Sequence, residues 1–299
     1  MNQQFLTELK AVTAENRIFT DEPMKKHTTF RVGGPADILV QPKGTELAAV
    51  IRLCRKYDVP YQVIGNGSNL LVGDRGIRGL VIEMLSKEDE ICVEDDCITV
   101  GAGMLLSKTA NRAAEHGLTG MEFAAGIPGR IGGAVVMNAG AYGGEMKDIL
   151  TAVTVLDQEG NEKILSAEEL ELGYRTSCIL KKGYIVTGAK IKLKHGEETA
   201  IRARMEELKK QRVEKQPLEY PSAGSVFKRP EGAFAGALIE QCGLKGKTVG
   251  GAQVSEKHAG FIINKSKATA DDVKQLVSEI QKTVENETGY KLECELIFL

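Results

Sequence analysis

Residues 126–144 read GIPGRIGGAVVMNAGAYGG, a segment too apolar for a flexible linker and too rich in glycine for an ordinary helix. Backbone with so few side chains can approach another surface closely, and closely spaced N–H groups can encircle an anion such as a diphosphate. A second loop of this kind, Gly65-Asn66-Gly67-Ser68-Asn69, separates the β-rich runs Tyr61–Ile64 and Leu70–Val72. On composition alone both loops read equally well as tight turns. Common nucleotide signatures fail. Gly65-x-Gly67 is followed by Leu70, and Gly101-x-Gly103 by Leu106, where a Rossmann loop needs its third glycine. Gly246-Lys247-Thr248 resembles the end of a P-loop, but Gln241 stands in place of its first glycine.

Around these loops the apolar periodicity alternates between helix and strand. Leu47, Val50, Ile51 and Cys54 recur at helical spacing within Thr45–Tyr57, and Leu105–His116 forms a second helical stretch ending before Gly117. Ile91–Val93 and Cys97–Val100 read as a hairpin, and Val153–Asp157 and Tyr184–Lys194 as strands flanking a short helix that Ser166 caps, with Glu169 completing a capping box. A charged helix over Ile201–Lys215 stops before Pro217. Beyond it, Val273, Leu276, Val277, Ile280 and Val284 share one face of a long helix that Thr269 starts and Gly289 ends. The last residues alternate, with Leu292, Cys294, Leu296 and Phe298 on one side of a strand. The class is α+β, in three parts: 1–84, 85–194 and 195–299.

Bulk properties narrow the partners. The 299 residues carry 39 Lys and Arg against 41 Asp and Glu, a net charge of -2 that gives no general attraction to phosphate backbones or anionic membranes. Basic residues between Arg202 and Lys215 are interrupted by Glu206, Glu207 and Glu214, as on a solvated helix face rather than a nucleic-acid stripe. The six cysteines form no Cys-x-x-Cys pair, and His27, His116, His195 and His258 have no metal-ligand spacing. We expect buried thiols in a reducing compartment, no metal, no membrane insertion, no obligate protein partner, and a cytoplasmic location.

Several longer strings make the chain recognisable. HTTFRVGGPAD at 27–37, VIGNGSNLLV at 63–72, AAGIPGRIGGAVVMNAGAYGGE at 124–145, YRTS at 174–177, PSAGSVFKRP at 221–230 and VGGAQVSEKHAGFIIN at 249–264 occur in an order that resembles the UDP-N-acetylenolpyruvoylglucosamine reductase (MurB) family, in its second, shorter subtype. The resemblance spans nearly the whole chain. It implies a two-part FAD-binding region of the vanillyl-alcohol oxidase/MurB type, followed by a C-terminal α+β substrate domain. It also implies noncovalent FAD, held by Gly65, Asn66, Gly67, Ser68, Asn69 and Leu70 and by Gly126, Ile127, Pro128, Gly129, Gly132, Gly133 and Ala134. NADPH is the implied hydride donor, and a UDP-N-acetylglucosamine bearing an enolpyruvyl group the implied substrate.

Reducing that double bond places a hydride on one carbon and a proton on its neighbour, through an enolate-like carbanion. A cation must stabilise the negative charge and an acid must supply the proton. The resemblance puts Arg175, Ser225 and Glu295 in the catalytic positions, with Ser225 as proton donor and Glu295 beside Arg175, either as a protonated carboxyl or as an orienting acceptor. Tyr174, Lys228 and Arg229 are implied substrate contacts. Without the resemblance, Ser225 reads as a turn hydroxyl, Arg175 as a surface ion-pair partner and Glu295 as the exposed alternate of a strand. The chain departs from the family at Arg130, where a small hydroxyl residue is common, at Arg229 in place of Asn, and at Ile297 near a usual basic residue. Two other readings remain at this level: an oxidase of the same flavin superfamily, which would not consume NADPH, and a flavin- or UDP-sugar-binding regulator without turnover.

Overall fold

The computed structural model describes residues 3–86 and 91–299. The protein packs as two compact units, each discontinuous in sequence: Met1–Thr20, Ile38–Asn66 and Gly79–Gln211 in the first, Asp21–Asp37, Gly67–Arg78 and Arg212–Leu299 in the second. This is a grouping by packing, whereas the division at residues 84/85 and 194/195 is one by chain order and expected role.

The first unit holds two cores. Helix Gly44–Lys56 turns Leu47, Val50, Ile51 and Cys54 toward Phe5 and Leu9 of helix Gln3–Val12 and toward Ile38, Val40, Leu80 and Ile82. Each such side chain, fully buried, contributes roughly 1.5–3 kcal/mol relative to leaving it exposed. The Lys43 N–H donates to the Glu46 carboxylate at 2.9 Å, which caps the helix start. Strand Tyr61–Ile64 pairs in parallel with Ile77–Glu83, Tyr61 opposite Leu80, so the chain must make a long connection before returning. Residues 65–76, including the first glycine loop, are that connection.

The second core of this unit lines an antiparallel sheet whose strands run in the order Glu162–Ser166, Leu150–Leu156, Ile185–Lys192, Cys97–Gly101 and Ile91–Glu94. Ile98, Val100, Val153, Val155, Ala189 and Ile191 alternate onto its buried face, where helix Leu106–Glu115 packs. The glycine-rich segment departs from its expected character here, because Ile131–Val136 is a short helix. Ile131, Ala134 and Val135 anchor it in the core, and a Cβ on Gly132 would meet the Ala102 Cβ at 3.1 Å. Close packing accounts for Gly132, whereas a Cβ on Gly133 would meet nothing within 4 Å. The Ser166–Glu169 reciprocal pair also forms, with Ser166 N–H donating to Glu169 Oε2 at 2.8 Å, but it closes a turn after the strand rather than a helix. Two bonds do not nucleate a helix so close to Gly173. The short helix lies later, at Cys178–Lys182.

The second unit has an antiparallel sheet in the order Ser222–Ser225, Phe261–Asn264, Ala252–Val254 and Thr248–Val249. Helix Ala270–Thr288 buries Val273, Leu276, Val277, Ile280 and Val284 in its core. Thr269 Oγ1 accepts from the Asp272 N–H at 3.1 Å, the Asp74 carboxylate accepts from the Ala270 and Asp271 N–H groups at 2.8 and 3.0 Å, and Gly289 leaves the helix at φ 76°. The chain end is not one continuous strand. Cys294 makes an isolated bridge to Phe227, and only Ile297–Phe298 pairs, in parallel with Leu70–Leu71. Both the Glu295 and Leu296 N–H groups donate to the Val226 carbonyl, at 2.8 and 3.3 Å, in a bulge; Leu292, Cys294 and Leu296 still face the core as expected, whereas Phe298 is exposed.

All six cysteines are free thiols, but only Cys54 and Cys178 are buried and Cys92 is exposed, which corrects the expectation that all are interior. Burial pushes the Cys54 thiol up to about 12. No helix among the described residues is long and apolar enough to cross a membrane.

Candidate active site

The loop Gly65–Asn69 directly follows strand Tyr61–Ile64. Its five consecutive N–H groups have no acceptor among the described residues, although Gly67 is buried and the other four are half-buried. Unpaired amides grouped in a turn can receive a negatively charged ligand. Gly67 has φ 59°, and a Cβ there would lie 2.2 Å from the His27 carbonyl oxygen, so both conformation and space require glycine. Asn66 Nδ2 donates to the Pro128 carbonyl at 2.8 Å, which ties the first glycine loop to the second. Ser68 is half-buried, the Asn69 amide donates to the Glu295 carbonyl at 3.0 Å, and Leu70 enters the short strand paired with Ile297.

The second loop is fixed from behind. Ile127 N–H donates to Ala124, Ile131 N–H to Met104 and Gly132 N–H to Ala102, while the Gly129 carbonyl accepts from Leu106. Gly126, Pro128 and Gly133 are exposed, Ala134 is buried, and the Gly126 and Gly133 N–H groups have no acceptor among the described residues. Arg130 fills the space above Gly65, its Cβ 3.4 Å from where a Gly65 Cβ would be. Its guanidinium donates to the Gly103 carbonyl at 2.5 Å, but the buried Nε has no partner among the described residues. Burial pulls this guanidinium below its ordinary value, and the Glu83 carboxylate opposes the shift.

Tyr174 and Arg175 form a two-residue turn closed by Gly173 N–H to the Thr176 carbonyl at 3.1 Å and Thr176 N–H to the Gly173 carbonyl at 3.3 Å. Arg175 has φ 53°; its guanidinium stacks 5.1 Å from the Tyr174 ring centre and donates to the Gly140 carbonyl at 3.4 Å. Tyr174 is 53% exposed while Arg175 is half-buried, and the left-handed backbone is confined to Arg175.

In the second unit Ser225 ends its strand opposite Phe261, and the next residue's carbonyl receives the Glu295 N–H. Ser225 and Glu295 are thus neighbours through one carbonyl. His258, a residue that motif spacing leaves unassigned, and Ser225 both crowd Gly260. A Cβ on Gly260 would meet His258 Cε1 at 3.0 Å and Ser225 Oγ at 3.2 Å. His258 Nδ1 accepts from the Gly260 N–H at 3.1 Å, which assigns the neutral ring's proton to Nε2, and burial pulls the imidazole down and so favours that neutral form. Lys228 Nζ lies 3.3 Å from Glu293 Oε2 in an exposed pair, and Arg229 stacks 4.4 Å from the Phe234 ring centre. An exposed ion pair contributes little to stability, so Lys228 can exchange Glu293 for an anionic ligand at small cost.

Comparison with known proteins agrees in both halves of the chain. Residues 36–166 match the FAD binding domain family, and residues 216–299 match the C-terminal domain family of UDP-N-acetylenolpyruvoylglucosamine reductase. A UDP-N-acetylenolpyruvoylglucosamine reductase of Agathobacter rectalis is 52% identical over 308 aligned positions, covering 99% of this chain and 98% of the relative. One from Clostridium perfringens is also 52% identical, with coverage of 99% and 98%. The crystal structure of the Thermus caldophilus enzyme superposes with a TM-score of 0.79 at 42% identity, over 92% of this chain and 97% of the other.

Proposed function

The chain belongs to the UDP-N-acetylenolpyruvoylglucosamine reductase family, an FAD-dependent oxidoreductase family of peptidoglycan precursor synthesis, and from that premise we propose its detailed reaction: NADPH-dependent reduction of UDP-N-acetylglucosamine enolpyruvate to UDP-N-acetylmuramate in the cytoplasm. The observation that carries the flavin part is the run of unpaired N–H groups at Gly65–Asn69, joined to the Gly126–Ala134 loop by Asn66. Those residues would hold the FAD diphosphate and its adjoining groups. FAD, when bound, supplies the hydride carrier between NADPH and the enolpyruvyl carbon.

The chain's own residues do the rest. Arg175 offers a planar guanidinium to the substrate carboxylate and to the charge that spreads from it as the carbanion forms. Ser225 gives its Oγ proton to the carbon next to the one that receives hydride. A hydroxyl is a weak acid, but a carbanion is basic enough to take its proton when the two are aligned and water is excluded. Glu295 serves either as a protonated carboxyl or as an orienting acceptor; Tyr174, Lys228 and Arg229 contact the UDP-sugar, the two cations favouring its anionic groups. In this reading residues 1–84 and 85–194 form the two FAD-binding parts and 195–299 the substrate part.

Anaerobic mixing of the FAD-loaded protein with NADPH, followed by the enolpyruvyl UDP-sugar, tests the reading through flavin absorbance. Bleaching by NADPH and recovery on adding the sugar is the expected sequence. Bleaching without recovery, or recovery only with oxygen, would overturn it.

A further inference from the structure

Asn138 follows the helix Ile131–Val136, has no exposed surface, and occupies the left-handed region at φ 44°. Its Nδ2 donates to Glu145 Oε2 at 2.6 Å and to the Gly173 carbonyl at 3.1 Å, while its Oδ1 accepts from the Lys147 N–H at 2.9 Å. One buried amide therefore joins the helix end, the residues after Gly144, and the first residue of the Tyr174–Arg175 turn. On the other side of that turn, buried Ser177 donates from Oγ to the Val136 carbonyl at 2.7 Å. The two pins stand 35 and 41 positions from their partners in sequence and bracket Arg175. A left-handed arginine persists only where its surroundings impose that backbone. We propose that Asn138 is a positioning residue that aims the Arg175 guanidinium, with Ser177 as its counterpart across the turn. The proposal rests on the substrate role assigned to Arg175.

The Gly173 carbonyl held by Asn138 is the same one that accepts the Thr176 N–H, so losing the amide loosens the pair that closes the turn. The Arg175 guanidinium reaches the Gly140 carbonyl in the segment between Asn138 and Glu145, so the same segment guides the backbone and the side chain of Arg175. A guanidinium displaced by about 1 Å from its productive position loses on the order of 10²-fold in rate. Hydride transfer from NADPH requires no charge from this turn, so the loss belongs to the enolpyruvyl half of the cycle.

The test uses the FAD-loaded protein as Asn138→Ala, Arg175→Ala and the double variant, with both half-reactions followed by flavin absorbance and UDP-sugar binding measured by calorimetry. Asn138→Ala should slow reoxidation by the enolpyruvyl substrate about 10- to 100-fold, leave flavin reduction by NADPH near its normal rate, and add no loss to that of Arg175→Ala. Equal slowing of both halves, or losses that multiply in the double variant, overturns the proposal. A damaged Arg175→Ala beside a normal Asn138→Ala overturns this proposal alone; an Arg175→Ala of normal rate overturns the role of Arg175 and this inference with it.

Should Asn138→Ala lose its flavin, Asn138→Asp decides. It keeps the size and the acceptor for Lys147 N–H but sets a carboxylate against Glu145, whose Oε1 lies 2.5 Å from Lys147 Nζ and whose N–H donates to Asp148 Oδ2. Burial and the facing Glu145 carboxylate favour proton uptake by the new carboxyl. Reoxidation should be slow at neutral pH and recover, relative to the native protein, as pH falls and the carboxyl becomes a donor. A deficit that does not change with pH overturns the proposal.

Discussion

At the scale of single residues, the site depends on groups whose roles come from their neighbours. Ser225 has ordinary serine chemistry, yet it crowds Gly260 together with the His258 ring, and the carbonyl of the next residue receives the Glu295 N–H. The proposed role predicts a separation of the two half-reactions. Ser225→Ala should leave flavin bleaching by NADPH near its normal rate and slow reoxidation by the enolpyruvyl substrate by at least ~10²-fold, the lower end for a positioned general acid. Stopped-flow absorbance of both steps checks it, and equal slowing of both would remove Ser225 from proton transfer. None of this is legible from spacing, because a lone serine before Val226 has no periodic signature. The string PSAGSVFKRP singles it out, and the fold supplies its neighbours.

At the scale of elements, backbone conformation and turn hydrogen bonds decide what the loops can do. Gly67 combines φ 59° with a 2.2 Å approach to the His27 carbonyl, so Gly67→Ala should cost more than about 1 kcal/mol and lower the flavin content of the purified protein. Melting temperature and FAD-to-protein ratio read the two effects; a variant normal in both would show that the loop tolerates a side chain. The turn between strands Leu150–Leu156 and Glu162–Ser166 gives a pH prediction. Asp157 accepts from the Asn161 and Glu159 N–H groups at 2.9 and 3.0 Å and faces Lys163 Nζ at 3.2 Å. These contacts, the Asn161 N–H first, hold its carboxyl down to about 2. Because folding favours the carboxylate, its stabilisation is present above the ordinary carboxylate range and disappears as pH falls through about 2. Asp157→Asn should therefore melt below the native protein from neutral pH down to about 5, with the gap closing under stronger acid. A gap independent of pH would assign the effect to shape instead.

At the scale of the whole molecule, each proposed cofactor contact is a backbone group or a neutral side chain, and His27 Nε2 is engaged by Glu22 at 3.1 Å. The protein should purify yellow, and denaturation should release its FAD into the supernatant; flavin remaining on the precipitated chain would overturn noncovalent binding. Local features are legible in the residues alone. The 91–101 hairpin, the Gly44–Lys56 face, the Thr269 and Gly289 caps and the family strings all rest on contacts or identities within a few neighbouring positions. Tertiary structure alone decided that Ile131–Val136 is helical, that the Ser166–Glu169 pair closes a turn, that Glu295 sits in a bulge against Val226, and that Asn138 joins the Arg175 turn to Glu145. Range separates the two: propensity and capping act over about four residues, whereas the bonds from Asn66 to Pro128 and from Asn138 to Gly173 span 62 and 35 positions. Such bonds exist only after the cores have brought distant segments together, and a buried polar group must then find its partner there.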